Sequence, residues 1–213
     1  MSSLIFHTDE SQVFTATDTL ATTPDGEPFS FTTKVFVVPH LRMLMAGTGV
    51  GGVLGKWFIA VHDRMIVRGI DNLDYHTPRI LSEIWQSHRQ ECSIPEDFTT
   101  TIYHLGFSEE TGLVHSYAYR SAENFRSESL SYGMRLKPEC EIPEPYSFPM
   151  DIKKMMDSQR AIQAKRPKEE RIYIGGEIMI HHLTDQSFTV YVLDEFEDYE
   201  ANERAIFSNF DKR

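Results

Sequence analysis

The chain has 213 residues, of which 40% are apolar, and its formal net charge is −11. This length supports one sizeable core and is short for two, so we expect one domain over residues 1–213. The acidic balance disfavours nucleic-acid binding, which needs a basic surface. The apolar runs are too short to span a membrane, and residues 1–6 do not resemble a signal peptide.

The two cysteines, Cys92 and Cys140, lie far apart in the sequence. They do not have the spacing of a metal site, and we expect neither a metal nor another cofactor. Two isolated cysteines indicate reduced thiols and a cytoplasmic protein, although a disulfide between them is left open.

The first part of the chain predicts four β-strands separated by turns. The predicted ranges are 2–8, 12–17, 32–38 and 43–47. The segment 23–28, between the second and third strands, is rich in the residues that form turns.

After residue 47 the spacing of apolar residues becomes helical. Seven apolar residues from Val50 to Met65 fall on one face of a helix. A second helix is predicted to begin with Thr77 as its N-cap and Pro78 as its first helical residue. A third helix is predicted over about 150–165.

Strand patterns return after the second helix. The predicted ranges are 99–107, 113–120, a weaker strand near 130–134, and a hairpin of 171–183 and 188–193. Four prolines in 137–149 indicate a rigid crossing loop. The segment 194–213 is acidic and then mixed, and we expect a tail that is either a short helix or disordered.

The element order therefore runs four strands, two helices, three strands, one helix and two strands. Runs of strands followed by runs of helices favour antiparallel sheets covered by helices over a parallel sheet. We expect an α+β protein in which two sheets and their helices form a four-layer αββα sandwich.

Three polar residues near strand edges stand at equal intervals. Asp18 follows Ser2 by 16 residues, Lys34 follows Asp18 by 16, and Gly47 ends the fourth predicted strand. If Met1 is removed, Ser2 carries both a hydroxyl and a free α-amine, the minimum equipment of an amide hydrolase that uses its N-terminus as base. Each residue alone also has an ordinary explanation, such as a turn aspartate or a solvated strand lysine.

At these residues the sequence resembles the proteasome-type family of N-terminal nucleophile (Ntn) hydrolases, which includes bacterial proteasome β subunits. The stretches that carry the resemblance are Asp18-Thr19-Leu20-Ala21-Thr22, Thr32-Thr33-Lys34-Val35, Met45-Ala46-Gly47, Gly175-Gly176 and His181-His182-Leu183. The resemblance implies the αββα sandwich, a homo-oligomeric ring and a peptide substrate, and it leaves an ATPase partner undetermined.

The resemblance also implies a catalytic role for four residues. Ser2 is the nucleophile, and its α-amine, whose pKa is ordinarily about 7.7–8.0, takes the hydroxyl proton through a water. Lys34 lowers the pKa of that amine, and Asp18 orients Lys34. The backbone N–H of Gly47 stabilises the oxyanion.

Substrate contacts and supporting residues match the family less closely. Thr22 and Gly47 are expected against the backbone of an extended substrate, and Ser131 loosely matches a supporting serine. Where the family has Asp-x-x-Ser-Gly-Gly, Arg171 stands for the acid and Ile174 for the hydroxyl. The hydrogen bonds that orient the N-terminus are therefore expected to be missing or rebuilt.

Three functions remain open from the sequence. The first is a peptidase that uses Ser2. The second is a catalytically inactive scaffold or ring subunit with the same fold, and the third is a hydrolase of small amides on that fold. The motifs favour the peptidase, because the short loops resemble those of ring-forming subunits.

Overall fold

A computed structural model describes residues 3–210, which form twelve strands and four α-helices. The strands are β1 (Leu4–Thr8), β2 (Gln12–Asp18), β3 (Leu20–Thr22), β4 (Pro28–Phe31), β5 (Val35–Val38), β6 (Met43–Gly49), β7 (Thr100–Phe107), β8 (Val114–Arg120), β9 (Ser127–Ser129), β10 (Gly133–Lys137), β11 (Glu177–Thr184) and β12 (Phe188–Glu195). The helices are α1 (Val53–Arg64), α2 (Ile70–Cys92), α3 (Ile152–Ala164) and α4 (Tyr199–Phe210).

Two five-stranded sheets contain most of the strands, and the strands in both pair antiparallel. In sheet I the order is β10-β1-β2-β11-β12, and in sheet II it is β5-β6-β7-β8-β9. Strands β3 and β4 form a separate antiparallel pair. The expectation of an α+β protein with antiparallel sheets is therefore confirmed.

Three clusters of buried apolar side chains join the helices and sheets. The first lies between sheet II and helices α1 and α2, and contains Trp57 and Leu81. The second joins the two sheets, where the ring centroids of Phe6 and Tyr103 lie 5.4 Å apart. The third packs Met155 and other residues of α3 on the opposite face of sheet I. Because successive side chains of a strand point to opposite faces, each sheet contributes apolar residues to a cluster on either side of it.

Helix α2 corrects the predicted start of the second helix. It begins at Ile70, so Thr77 is not its N-cap and Pro78 lies in its interior. Two backbone N–H groups in its first turn donate to the Glu109 carboxylate, 37 and 38 residues away. A cap from so far along the chain leaves no local sequence signal, whereas Thr77 and Pro78 give a strong but misleading one.

Other predicted boundaries also differ. The predicted strand 32–38 begins only at Val35, and the residues of β4 before it pair with β3. The predicted strand 171–183 begins only at Glu177, because Gly175 before it binds the backbone N–H groups of Thr19 and Leu20 after β2. The weak strand near 130–134 is replaced by β9 and β10, which belong to different sheets. The segment after residue 193 completes β12 and then forms α4.

The structure bears on two expectations from the sequence, one on membrane spans and one on a disulfide. None of the described helices is both long and apolar enough to cross a membrane. Cys92 and Cys140 are both free, so the disulfide left open by the sequence is not formed.

Candidate functional site

Asp18 and Lys34 form a buried ion pair at the end of β2. The Lys34 Nζ donates to Asp18 Oδ1 at 2.7 Å and to the backbone carbonyl of Leu20 at 2.7 Å. The Asp18 side chain is 0% exposed and that of Lys34 is 7% exposed. The structure therefore joins two residues that the family resemblance expects to interact.

Burial lowers the pKa of Lys34, and the adjacent Asp18 carboxylate opposes that shift. Removing a charged ammonium from water disfavours its charged form, whereas a nearby carboxylate favours it. The hydrogen bonds to one carboxylate and one backbone carbonyl hold the Lys34 amino group in one position.

The Asp18 carboxylate also holds two other parts of the chain. Its Oδ1 accepts the backbone N–H of Ser3 at 2.9 Å, and its Oδ2 accepts that of Gly175 at 3.1 Å. One buried carboxylate thus connects the residue before β1, the residue before β5 and the loop before β11. Hydrogen bonds to a charged acceptor are about twice as strong as neutral ones, so this junction is well suited to fix geometry.

The start of β1 has a second anchor that the sequence did not reveal. The Ser3 hydroxyl donates to Gln159 Oε1 at 2.6 Å, and Gln159 Nε2 donates to the backbone carbonyl of Pro138. Ser3 and Gln159 are both fully buried. The two residues are 156 positions apart in the sequence, so their contact depends on the tertiary fold and leaves no local sequence signal.

The Gly175-Gly176 pair completes the junction. The Gly175 carbonyl accepts the backbone N–H groups of Thr19 and Leu20, at 3.2 and 3.0 Å. Gly176 has φ +82°, and an added Cβ would lie 2.3 Å from Thr19 Oγ1. A side chain at this position would therefore meet both an unfavourable backbone conformation and a clash.

A cavity of about 250 Å³ opens beside Lys34. Thr22 and Gly47 line it together with Lys34, so the structure brings these three predicted site residues to one place. Its wall also includes the glycine-rich segment 47–52 and the apolar side chains of Phe36 and Leu54. Asp18 is not among the lining residues and lies behind Lys34, to which it is bonded.

Gly47 occupies a crowded position in β6. Its backbone N–H donates to the Lys34 carbonyl at 3.2 Å. A Cβ added at Gly47 would lie 3.2 Å from the Cβ and Cδ2 of Leu54, so α1 packs closely against this residue. Because the Gly47 N–H already donates to the Lys34 carbonyl, a substrate oxyanion would compete with that carbonyl for the same donor.

Ser131 is not brought to the cavity. It is exposed, and its hydroxyl accepts a hydrogen bond from Arg135 at 3.1 Å. Sheet register gives the reason. The segment before β10 lies at the Thr8 end of β1, whereas Asp18 binds the chain at the opposite end.

Neither Arg171 nor Ile174 is a hydrogen-bond partner of the Asp18 carboxylate. Arg171 donates to the backbone carbonyls of Ala164 and Arg166 at the end of α3, at 2.9 and 3.0 Å. The Ile174 side chain is buried in the cluster between α3 and sheet I. The hydrogen bond from this loop to Asp18 comes instead from the backbone of Gly175.

Ser2 and Met1 lie outside the described residues. The nitrogen of Ser3 is covalently bonded to the carbonyl carbon of Ser2, and that nitrogen lies 2.9 Å from Asp18 Oδ1.

Metal binding has no support in the part of the chain that the structure describes. No group of three or more metal-binding side chains occurs there. His181 is buried and burial lowers its pKa to about 4. The neighbouring His182 is half-buried and pairs with Gln12 Oε1 at 2.9 Å. One imidazole is thus packed and the other is partly accessible, as alternation along β11 predicts.

The paired antiparallel sheets, with helices packed on sheet II and on the outer face of sheet I, define a proteasome-like fold. The chain aligns with Anbu (ancestral beta-subunit) from Yersinia bercovieri at a TM-score of 0.59 and 12% identity, covering 99% of this chain and 94% of that one. It aligns with Anbu from Hyphomicrobium sp. strain MC1 at a TM-score of 0.58 and 14% identity, covering 100% of this chain and 94% of that one. A Gly-1 mutant of the Hyphomicrobium protein aligns at a TM-score of 0.60 and 13% identity, with the same coverage of both chains. At such identities the similarity establishes the fold alone.

These comparisons correct the family expected from the sequence. The neighbours are Anbu proteins, which are proteasome-like but distinct, so the identification as a bacterial proteasome β subunit of the proteasome-type Ntn family is wrong. No protein-family model and no curated protein matches the chain significantly.

Proposed function

We propose that the protein is an amide hydrolase that cleaves peptides and uses Ser2, exposed by removal of Met1, as its nucleophile. The observation that carries this proposal is the Asp18 carboxylate, which binds Lys34 at 2.7 Å and the backbone N–H of Ser3 at 2.9 Å. One carboxylate therefore links a buried cation to the residue that follows the nucleophile.

In the proposed reaction the Ser2 hydroxyl oxygen bonds to the carbonyl carbon of the substrate amide. Its proton passes through a water to the neutral α-amine of the same residue. Collapse of the tetrahedral intermediate breaks the C–N bond, and the leaving amine takes a proton from the α-ammonium group. Water then hydrolyses the ester, which restores the hydroxyl and releases the acid.

Lys34 and Asp18 prepare this chemistry in the proposal. A fixed cation near an amine disfavours protonation of that amine and so lowers its pKa. A larger fraction of the α-amine is then neutral at physiological pH and able to act as a base. Asp18 keeps the ammonium of Lys34 in one position, because it accepts a 2.7 Å hydrogen bond from it.

The cavity beside Lys34 supports an extended substrate. Thr22 and Gly47 both line it, so a peptide backbone that enters would contact the two residues. Phe36 and Leu54 contribute apolar surface, and the volume of about 250 Å³ suits an apolar side chain of moderate size. Gly47 would stabilise the oxyanion only if its N–H is shared with, or released from, the Lys34 carbonyl.

We also propose that residues 1–213 form one domain with a four-layer αββα architecture. The three apolar clusters support it, because they follow the order of helices, sheet II, sheet I and α3. A homo-oligomeric ring in the cytoplasm is part of the proposal. It is supported by free thiols and by three exposed apolar side chains on the edge strand β12, namely Val190, Tyr191 and Val192. Light scattering that gives the mass of one chain would contradict the ring.

The experiment that tests the function uses protein whose first residue is Ser2 and matched protein that retains Met1. Each is incubated with a peptide epoxyketone, and the intact mass is measured. We expect a stoichiometric adduct only on the chain that begins with Ser2. Ser2→Ala should abolish the adduct, whereas Ser129→Ala, a control at an exposed serine on β9, should keep it. No adduct on confirmed Ser2-starting protein would rule out the proposal.

A second candidate is an inactive scaffold subunit with the same fold. The observation that favours it is the Gly47 N–H, which already donates to the Lys34 carbonyl and is not free for an oxyanion. The same experiment separates the candidates, because a scaffold subunit gives no adduct in either form of the protein. An adduct together with hydrolysis of small amides but not of peptides would instead indicate the third alternative, a hydrolase of small amides.

A further inference from the structure

Lys137 is a partly buried cation that lacks a carboxylate partner among the described side chains. It ends β10, and its Nζ donates to Thr101 Oγ1 at 3.1 Å. Burial and the positive charge of Arg120 lower its pKa. A cation that is partly removed from water without a counter-ion is disfavoured, and a ligand that carries a negative charge would compensate this cost.

The strand registers place Lys137 beside the candidate site. In sheet I it pairs with Leu4, the residue that follows Ser3. Its hydrogen-bond partner Thr101 lies on β7 opposite Thr48, which lines the cavity. Lys137 therefore reaches across from sheet I to sheet II, one strand from the cavity wall.

A second connection fixes Lys137 relative to the start of β1. Pro138, the next residue, accepts a hydrogen bond from Gln159, which in turn accepts one from the Ser3 hydroxyl. In sheet I, β1 lies between β10, which carries Lys137, and β2, which carries Asp18. The start of β1 is thus flanked by Asp18 and Lys34 on one side and by Lys137 on the other.

The position has consequences for a bound amide. If the proposed reaction takes place at the start of β1, the acyl and amine portions of the amide extend to opposite sides of this position. If the acyl portion occupies the cavity beside Lys34, the amine portion extends toward Lys137. Arg120 pairs with Thr101 across sheet II and adds a second cation, which is itself bonded to Glu128.

We propose that Lys137, oriented by Thr101, forms an anion subsite that binds a carboxylate on the amine side of the scissile amide. The inference rests on the proposed function and narrows its substrates to amides whose leaving residue is acidic. The carboxylate is either the side chain of that residue or the free α-carboxylate of a chain end. In a protein with a net charge of −11, this local cation overcomes the general repulsion of anions.

Binding is measured in full-length Ser2→Ala protein, so that no probe is hydrolysed. The probes are two matched pairs of N-acetylated peptides, titrated by calorimetry. The first pair ends in Leu-Asp-amide or Leu-Asn-amide and reports a side-chain carboxylate. The second ends in Leu-Ala with a free carboxylate or with an amide, and reports a chain end.

We expect the anionic member of at least one pair to bind about tenfold more tightly than its neutral partner. Lys137→Met should remove this preference, and Thr101→Val, which keeps the charge, should reduce it about threefold. Lys154→Met removes a matched charge from the exposed face of α3 and should leave the preference intact. If Lys137→Met does not fold, Thr101→Val still gives a result.

Equal or undetectable binding of both members in both pairs would overturn the inference, as would a preference that survives Lys137→Met. Hydrolysis by the wild-type protein distinguishes this failure from failure of the proposed function. Cleavage of neutral peptides without an anion preference retains the function and rejects the subsite. An anion preference in a protein that cleaves none of the peptides retains the subsite and rejects the function.

Discussion

The buried pair of Asp18 and Lys34 makes a quantitative prediction for stability. Lys34→Met leaves the Asp18 carboxylate, which is 0% exposed, with only the backbone N–H groups of Ser3 and Gly175 as partners. It also leaves the Leu20 carbonyl without the ammonium donor. Removing one partner of a buried ion pair typically costs about 3–5 kcal/mol, and we expect the free energy of unfolding to fall by that amount.

The matched variants form a double-mutant cycle. Asp18→Asn leaves the Lys34 ammonium buried without its counter-charge, so it should cost a similar amount. The double variant contains neither charge and should lose about 2–3 kcal/mol less than the sum of the two single losses.

Urea unfolding, followed by circular dichroism, gives the four free energies. Additive single losses, or single losses below about 1 kcal/mol, would contradict the argument that these charges depend on each other. An exposed pair would give such values, so the cycle also tests the burial of both side chains. Variants that remain folded should still lose the covalent adduct, since the proposed base then lacks its fixed cation.

Three further predictions concern other buried groups. Burial lowers the pKa of His104 from 6.5 to about 3. Between these values the unfolded chain binds a proton that the folded protein does not bind, so the free energy of unfolding decreases as the pH is lowered below 6.5. His104→Gln should remove about 3 kcal/mol of that fall between pH 6.5 and 4 in urea titrations, and an unchanged slope would contradict it. Gly176→Ala should cost more than Gly112→Ala in thermal unfolding, because both have positive φ but only Gly176 meets a neighbour; equal costs would refute the clash. Gln159→Leu should destabilise by about 1–3 kcal/mol and lower kcat, whereas the exposed control Gln86→Leu should do neither.

The parts of the fold that the sequence predicted well depend on local periodicity. The sequence patterns predicted β1, β2, β7, β8 and α1. The apolar residues of these elements are buried in the three clusters. The interaction of Asp18 with Lys34 was expected only from the family resemblance, since strand periodicity alone does not indicate which polar residues pair.

The parts that were missed depend on contacts between distant residues. The start of α2 is set by Glu109, which caps it from a loop in sheet II. The link from Ser3 to Gln159 joins the first strand to α3 across 156 residues. Neither partner carries a motif, so no pattern in the sequence could identify them.

The expected loss of supporting hydrogen bonds illustrates a further limit. The resemblance expected an acid and a hydroxyl where Arg171 and Ile174 stand, and the side chains of these two residues lie at the end of α3 and in the core. The loop nevertheless binds Asp18 through the backbone N–H of Gly175. Backbone donors are nearly independent of residue type, so comparison of side chains alone could not reveal this contact.

The most direct test of the proposed chemistry is the location of the epoxyketone adduct. After reaction of protein that begins with Ser2, the digest is analysed by tandem mass spectrometry. The account predicts one modified peptide, the N-terminal one, with the inhibitor attached to both the hydroxyl and the α-amine of Ser2. A modification on any other residue, or an unmodified N-terminal peptide, would contradict the account.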